Sequence, residues 1–231
     1  MEREEFGIKG IDSMIEGGIP KGAIVGISGP PGVGKSIFNI HFLLAGAKKG
    51  QKCIYICLEE PRENIDKMIS QFSFADKFYD YEKKGKIVIK CLEYPEYEKI
   101  YSDLFQKIKE DDKVERLVID SFNCFFASVP NLQMLNLNHE VNVRRMINQA
   151  FSMLRRKGLT TTLVLEMQLK SGHGFYYNIP FLVDGMINFD FLELGTIERR
   201  VFIPKMRWTC QHRDSKPFDI SKKGIVVKEE E

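Results

Sequence analysis

No run in this 231-residue sequence approaches the ~20 consecutive apolar residues that a helix needs to cross a bilayer. The opening MEREEFGIKG is too charged for a secretory signal. Cysteine is sparse and badly spaced for disulfide work. Cys53, Cys57, Cys91, Cys124 and Cys210 contain no CxxC pair, and their number is odd. Zinc spacings are missing too, so His212 and the scattered cysteines do not read as a metal site. A strong charge of one sign is also lacking. The 34 basic and 32 acidic residues leave only +2, which argues against a protein that coats nucleic acid mainly by charge. Internal repeats, low-complexity tracts and linkers are absent, so one domain over 1–231 is expected. These absences leave a soluble, reduced, cytoplasmic protein as the expectation.

What is present alternates. Short β-branched runs give way to longer amphipathic ones, the pattern of a mainly parallel sheet flanked by helices. AIVGIS (23–28) reads as a buried strand, and a helix over 35–49 should end at Gly50. KCIYICLE is apolar on both parities, as a central parallel strand should be, and Cys53 and Cys57 there act as small hydrophobes. Pro61 opens a helix, and KIVIKCL is a third strand. Tyr97, Tyr101, Leu104 and Ile108 then recur at helical spacing. RLVID (116–120) is the next strand, followed by the loop-like SFNCFFASVPN. A helix over 137–157 carries the stripe Leu137, Val141, Ile147, Phe151 and Leu154, and TTTLVLEM is a strand again. From DGMINFDFLELG onward the strands crowd together with glycine turns, which predicts an antiparallel extension at one sheet edge.

The stretch GPPGVGKS fits G-x-x-x-x-G-K-[ST] at Gly29, Gly34, Lys35 and Ser36. Its glycines, Gly32 among them, let backbone N–H groups turn inward around phosphate oxygens. Pro30, Pro31, Val33 and Ile37 complete the loop and helix start that would wrap the phosphates. Lys35 can reach the β- and γ-phosphates, and the Ser36 hydroxyl can ligate Mg²⁺. A dinucleotide fingerprint is excluded, because no third glycine follows Gly34 at the required spacing. Asp120, at the end of RLVID, is placed to hold the same magnesium through water. No NKxD-like run reads a guanine base, so ATP is the expected nucleotide. Hydrolysis further needs a group that deprotonates water. Glu59 and Glu60 leave a second strand on opposite sides, so only one can face the γ-phosphate. Glu59 is favoured as base with Glu60 as its support. The reverse assignment, and two merely solvated acids, stay open.

With these residues in place, the sequence resembles the RecA-like P-loop ATPases, and among them the KaiC family and its single-domain archaeal relatives. GIKGIDSMIEGGIPKGAIVGISGPPGVGKS is similar to that family's opening, YICLEEPRENI to its paired-glutamate motif, and LVIDS to its magnesium-aspartate strand. FIPKMRWTCQHRDSKPFDISKKGIVV resembles its closing KxRGTxHxxxxxPFxIxxxGIxV, departing at Trp208, where the family usually has glycine. The resemblance implies Glu59 as the water-activating residue. It also implies Lys205 and Arg207 reaching ATP across a subunit boundary, and a homo-oligomeric ring, usually of six. From the residues alone, Lys205 and Arg207 share one face of an edge strand, which fits a solvated surface as well as a finger for a neighbour's γ-phosphate.

The segment 168–180, QLKSGHGFYYNIP, mixes Lys170 and His173 with Phe175, Tyr176 and Tyr177. Aromatics beside cations could stack on single-stranded nucleic acid, or pack on a neighbour. Three function classes therefore stand. A slow Mg·ATPase whose nucleotide state alters an oligomer or protein-partner interaction is favoured over a recombinase-like DNA motor and over a nucleotide-sensing scaffold with negligible turnover.

Overall fold

The structure, a computed structural model, describes residues 1–92, 113–124, 137–166, 179–194 and 196–228. Its frame is a nine-stranded sheet whose central strands are apolar on both parities. In β3 (Ile24–Gly29) every residue is buried. Ile24 faces one hydrophobic core, while Val25 and Ile27 face the other. In β4 (Lys52–Cys57), Ile54 and Ile56 join the first of these cores, and Cys53, Tyr55 and Cys57 the second. This two-sided burial is what a strand sandwiched between helical layers requires.

One layer contains α2 (Lys35–Lys48), α3 (Arg62–Ser70) and α4 (Ala75–Lys83), together with an N-terminal segment made of β1 (Arg3–Glu4), α1 (Lys9–Asp12) and β2 (Ile19–Pro20). The other, among the described residues, includes α5 (Leu137–Arg156), which buries Ile147, Ala150, Phe151 and Leu154. The remaining strands are β5 (Ile87–Cys91), β6 (Val114–Asp120), β7 (Thr160–Glu166), β8 (Gly185–Leu194), β9 (Thr196–Met206), β10 (Lys216–Ser221) and β11 (Gly224–Val227), with the short α6 (Ile179–Leu182) before β8. Their order is β11-β10-β9-β8-β3-β7-β6-β4-β5.

The pairs from β8 to β5 are parallel and those from β8 to β11 antiparallel. The α/β class and the antiparallel C-terminal edge thus match the sequence reading, with one refinement. β8 begins the crowded C-terminal run yet pairs in parallel with β3, so the change of direction falls after it. The helix expected over Tyr97–Ile108 lies outside the described residues, as do the side chains of Leu137 and Val141.

A small β1–β2 sheet and a buried ion pair tie the N-terminal segment down. Arg116 is fully buried, pairs with Glu4, and donates to Gln51 Oε1 at 2.7 Å and to the carbonyls of Glu5 and Phe42 at 2.7 and 2.8 Å. With its donors so occupied, the guanidinium survives burial. Removing Glu4 alone would leave an uncompensated charge, at a cost of about 3–5 kcal/mol.

The last strand docks on α2 through an imidazole. His41 Nε2 accepts the Ile225 N–H at 3.1 Å, and a β-carbon on Gly224 would come within 2.1 Å of that nitrogen, so only glycine fits. Burial pushes the His41 pKa down from its ordinary 6.5 to about 4. The unfolded chain therefore binds more protons between those values. Stability is complete above pH ~6.5 and declines as pH falls towards ~4. Urea unfolding should show a loss of about 2 kcal/mol between pH 7.5 and pH 5 from this group. The His41→Gln variant, which keeps an acceptor, should lose that share of the pH dependence. An unchanged profile would contradict the role given to the imidazole.

Candidate functional site

Because β3, β4 and β6 run parallel, their C-terminal ends meet at one edge of the sheet. β3 leads into the glycine loop, β4 into Glu59, and β6 ends at Asp120. The loop's backbone explains its composition. Gly32 and Gly34 have φ of 74° and 113°, left-handed values that side chains rarely adopt. Val33 between them is fully buried and pins the loop to the core, and Ile37 packs against the same core. Pro31 and Gly32 are exposed, while Pro30 is half-buried. No side chain caps α2 at Gly34, so the first-turn amides and the positive end of the helix dipole are left for an anion.

Lys35 Nζ donates to Gly29 O at 2.8 Å and to Pro30 O at 3.0 Å, which folds the cation over the loop it belongs to. Ser36 Oγ donates to Asp120 Oδ2 at 2.8 Å, and the Tyr55 hydroxyl donates to the same oxygen. Burial pushes the Asp120 carboxyl up from its ordinary range, opposed by the hydrogen bonds from Tyr55 and Ser36. Burial, then the Asp120 charge, pushes the Tyr55 phenol well up, so it stays a neutral donor. A hydroxyl and a buried carboxylate oxygen, 2.8 Å apart beside a phosphate-type loop, are the hard oxygen donors that magnesium takes. The residues fit that ion.

Glu59 stands next to Asp120. Its Oε1 accepts from Ser121 Oγ at 3.0 Å and from Cys124 Sγ at 2.9 Å. Glu60 is exposed, and its backbone N–H points back to Cys57 Sγ at 3.4 Å. Among the described residues, the partners of the Glu59 carboxylate are thus Ser121 and Cys124, not Glu60. Both acids lie beyond the end of β4 at Cys57, in a bend, and both are exposed, so strand alternation does not separate them.

Lys205 and Arg207 lie at the other end of the sheet. Lys205 Nζ donates to the Val183 and Pro180 carbonyls at 2.7 and 2.9 Å, and Arg207 Nη1 to Asp184 Oδ1 at 3.1 Å. Val25 pairs with Gly185, and Gly185 with Met206, which puts both cations by the N-terminal end of β3. The glycine loop leaves the opposite end. After them comes Trp208, with a left-handed φ of 57° and an exposed indole. The turn that glycine would make freely is kept at a cost of about 1 kcal/mol. Arg3 steadies it through Trp208 O at 3.3 Å and Thr209 Oγ1 at 3.0 Å.

Sequence reasoning missed Tyr55, Ser121, Cys124, Asp184 and Asn39. Asn39 is fully buried on α2, donates to Lys35 O at 3.0 Å, and accepts from Thr162 Oγ1 at 2.7 Å, fixing the helix start against β7. An asparagine amid IFNIHF was the only legible sign of that contact.

Comparisons with known proteins bear on the family and the fold. A family model described as "ATPase: KaiC" matches residues 5–231. A UPF0273 protein of Pyrococcus horikoshii is 33% identical over 235 residues, covering 97% of this chain and 93% of the relative. Another, from Thermotoga maritima, is 30% identical over 245 residues and covers 98% and 96%. Among solved structures, a KaiC-like protein of Pyrococcus horikoshii superposes with a TM-score of 0.82 at 30% identity, covering 99% of both chains. With a RecA-like fold and a P-loop in place, the chain belongs to the KaiC ATPase family.

Proposed function

We propose that the protein binds ATP with magnesium at the 29–36 loop and hydrolyses it slowly, and that copies of the chain assemble so that each completes its neighbour's site. The observation that supports this most is convergence. Lys35, the Ser36–Asp120 pair and the Glu59 carboxylate, from three different strand ends, surround one loop. Loop amides and the α2 N-terminus would bind the phosphates, and Lys35 would exchange two backbone carbonyls for β- and γ-phosphate oxygens. Ser36 and Asp120 would hold magnesium, which would supply positive charge to offset that of the phosphates. Glu59 would orient the attacking water and take its proton, with Oε1 held by Ser121 and Cys124 so that Oε2 is left for the water. Lys205 and Arg207 would act on the γ-phosphate of an adjacent copy. The nucleotide state would then alter the contact between copies, or with another protein.

The first test is binding. Lys35→Ala should weaken ATP affinity about 10- to 100-fold, the loss of charged hydrogen bonds, with the thermal midpoint nearly unchanged. Unchanged affinity by calorimetry would remove the basis for the reading.

The DNA-motor reading rests on segment 168–180, of which 168–178 lie outside the described residues. It is distinguished by measuring ATPase with and without single-stranded DNA. No stimulation is expected, and a large one would reverse the preference. A scaffold with negligible turnover would bind ATP and show no hydrolysis in the same assay.

A further inference from the structure

Asp184, 2% exposed, sits where α6 hands over to β8. Its backbone is locked on both sides. Its N–H donates to Ile24 O at 2.8 Å, and its carbonyl accepts the Arg207 N–H at 2.9 Å. Its Oδ2 accepts the Ile24 N–H at 3.0 Å. Two guanidiniums converge on this one fixed carboxylate. Arg155 Nη2, from the last turn of α5, donates at 3.1 and 3.2 Å, and Arg207 Nη1 at 3.1 Å. Lys205 stands beside them, its pKa pushed down by burial and by the Arg207 charge.

Among the described residues, Arg155, Lys205 and Arg207 share one carboxylate, that of Asp184, which leaves an excess of two positive charges there. At a partly desolvated surface, like charges this close repel unless an anion meets them. The Arg155 and Arg207 side chains are 37% and 46% exposed, so much of each fork is open to a ligand. A guanidinium offers five donors, and Asp184 occupies few of them. Held along one edge, each arginine is aimed beforehand, which spares the entropy of ordering it on binding.

The chain's own glycine loop cannot be that anion's home. It lies across the full length of β3, six residues, or about 20 Å at the usual rise.

We infer that Asp184 is the positioning residue, and Arg155 a third cation, of an anion site that receives the nucleotide phosphates of a neighbouring copy of this chain. This rests on the shared-site reading above, and adds two residues to it. The phosphates would displace no partner of Asp184. They would meet the outward donors of Arg155 and Arg207 and the ammonium of Lys205.

Asp184→Asn keeps an oxygen for the Ile24 N–H and removes the charge that gathers the arginines. Its kcat for ATP should fall about 10-fold while KM stays within about two-fold, the pattern of a lost transition-state interaction. Arg155→Gln should do the same. Amide exchange gives a readout apart from turnover. In a Glu59→Gln background, adding ATP and magnesium should slow exchange over residues 203–209, and Asp184→Asn should abolish that slowing. Wild-type kcat and intact protection in both variants, alongside an inactive Arg207→Ala, overturns the assignment of Asp184 and Arg155. Full activity in Arg207→Ala instead brings down the shared-site reading itself. Should Asp184→Asn not fold, Arg155→Gln decides, since it leaves the Asp184 bonds to Ile24 in place.

Discussion

Arg207→Ala is expected to hydrolyse ATP about 10³-fold more slowly than the natural protein while binding it almost as tightly, the low end of what arginine fingers contribute elsewhere. The expectation follows from a mismatch of charge. Around the glycine loop, among the described residues, Lys35 is the cation placed to meet phosphate, against the acids Asp120 and Glu59. On the proposed reading, charge that develops on the γ-phosphate in the transition state would be poorly met by the described residues of one chain. Arg207 sits at the far end of the sheet on Asp184, too distant from its own loop to help and exposed enough to serve another. Affinity should change little because most ground-state contacts to phosphate come from the loop amides and Lys35. A parallel fall in affinity and turnover would argue that Arg207 supports folding or assembly instead.

Glu59→Gln should retain ATP binding and reduce hydrolysis by about 10²-fold or more, since the amide keeps the shape and loses the base. The two donors on Oε1 sharpen this expectation. Ser121 and Cys124 can still donate to the amide oxygen of glutamine, so the side chain stays oriented and only basicity is lost. Glu60→Gln is the control. It is exposed, as Glu59 is, but Ser121 and Cys124 donate to Glu59 and not to it, so its loss should matter far less. If Glu60→Gln stops turnover and Glu59→Gln does not, the roles of the pair are reversed.

The parts of this structure that could be read from sequence are those where one local rule decides. The glycine loop announces itself because left-handed backbone at Gly32 and Gly34 demands glycine, and because a strand and a helix flank it. The parallel core shows in β3, β4 and β6 because burial on both faces forces apolar residues at both parities. Contacts between distant segments leave no such trace. Tyr55 in CIYIC reads as one more core aromatic, yet its hydroxyl lands on Asp120, 65 positions away. Cys124 looks like a buried thiol in an apolar loop until the β6 end swings it to Glu59. Asp184, before a glycine, reads as a turn residue, and its three partners come from α5, β3 and the end of β9. The direction of β8 was hidden for a similar reason, since strand pairing depends on tertiary neighbours rather than on strand composition.

A site shared between copies makes one demand that no single-chain site makes, and mixing two dead variants tests it. Arg207→Ala subunits keep Glu59, and Glu59→Gln subunits keep Arg207. In randomly mixed equal amounts, about one quarter of head-to-tail interfaces would pair an intact Glu59 with an intact Arg207. The ATPase rate of the mixture should then rise to about a quarter of the natural rate, with mixed oligomers confirmed by native mass. A mixture no more active than its two components, with mixed oligomers present, would show that each chain completes its own site.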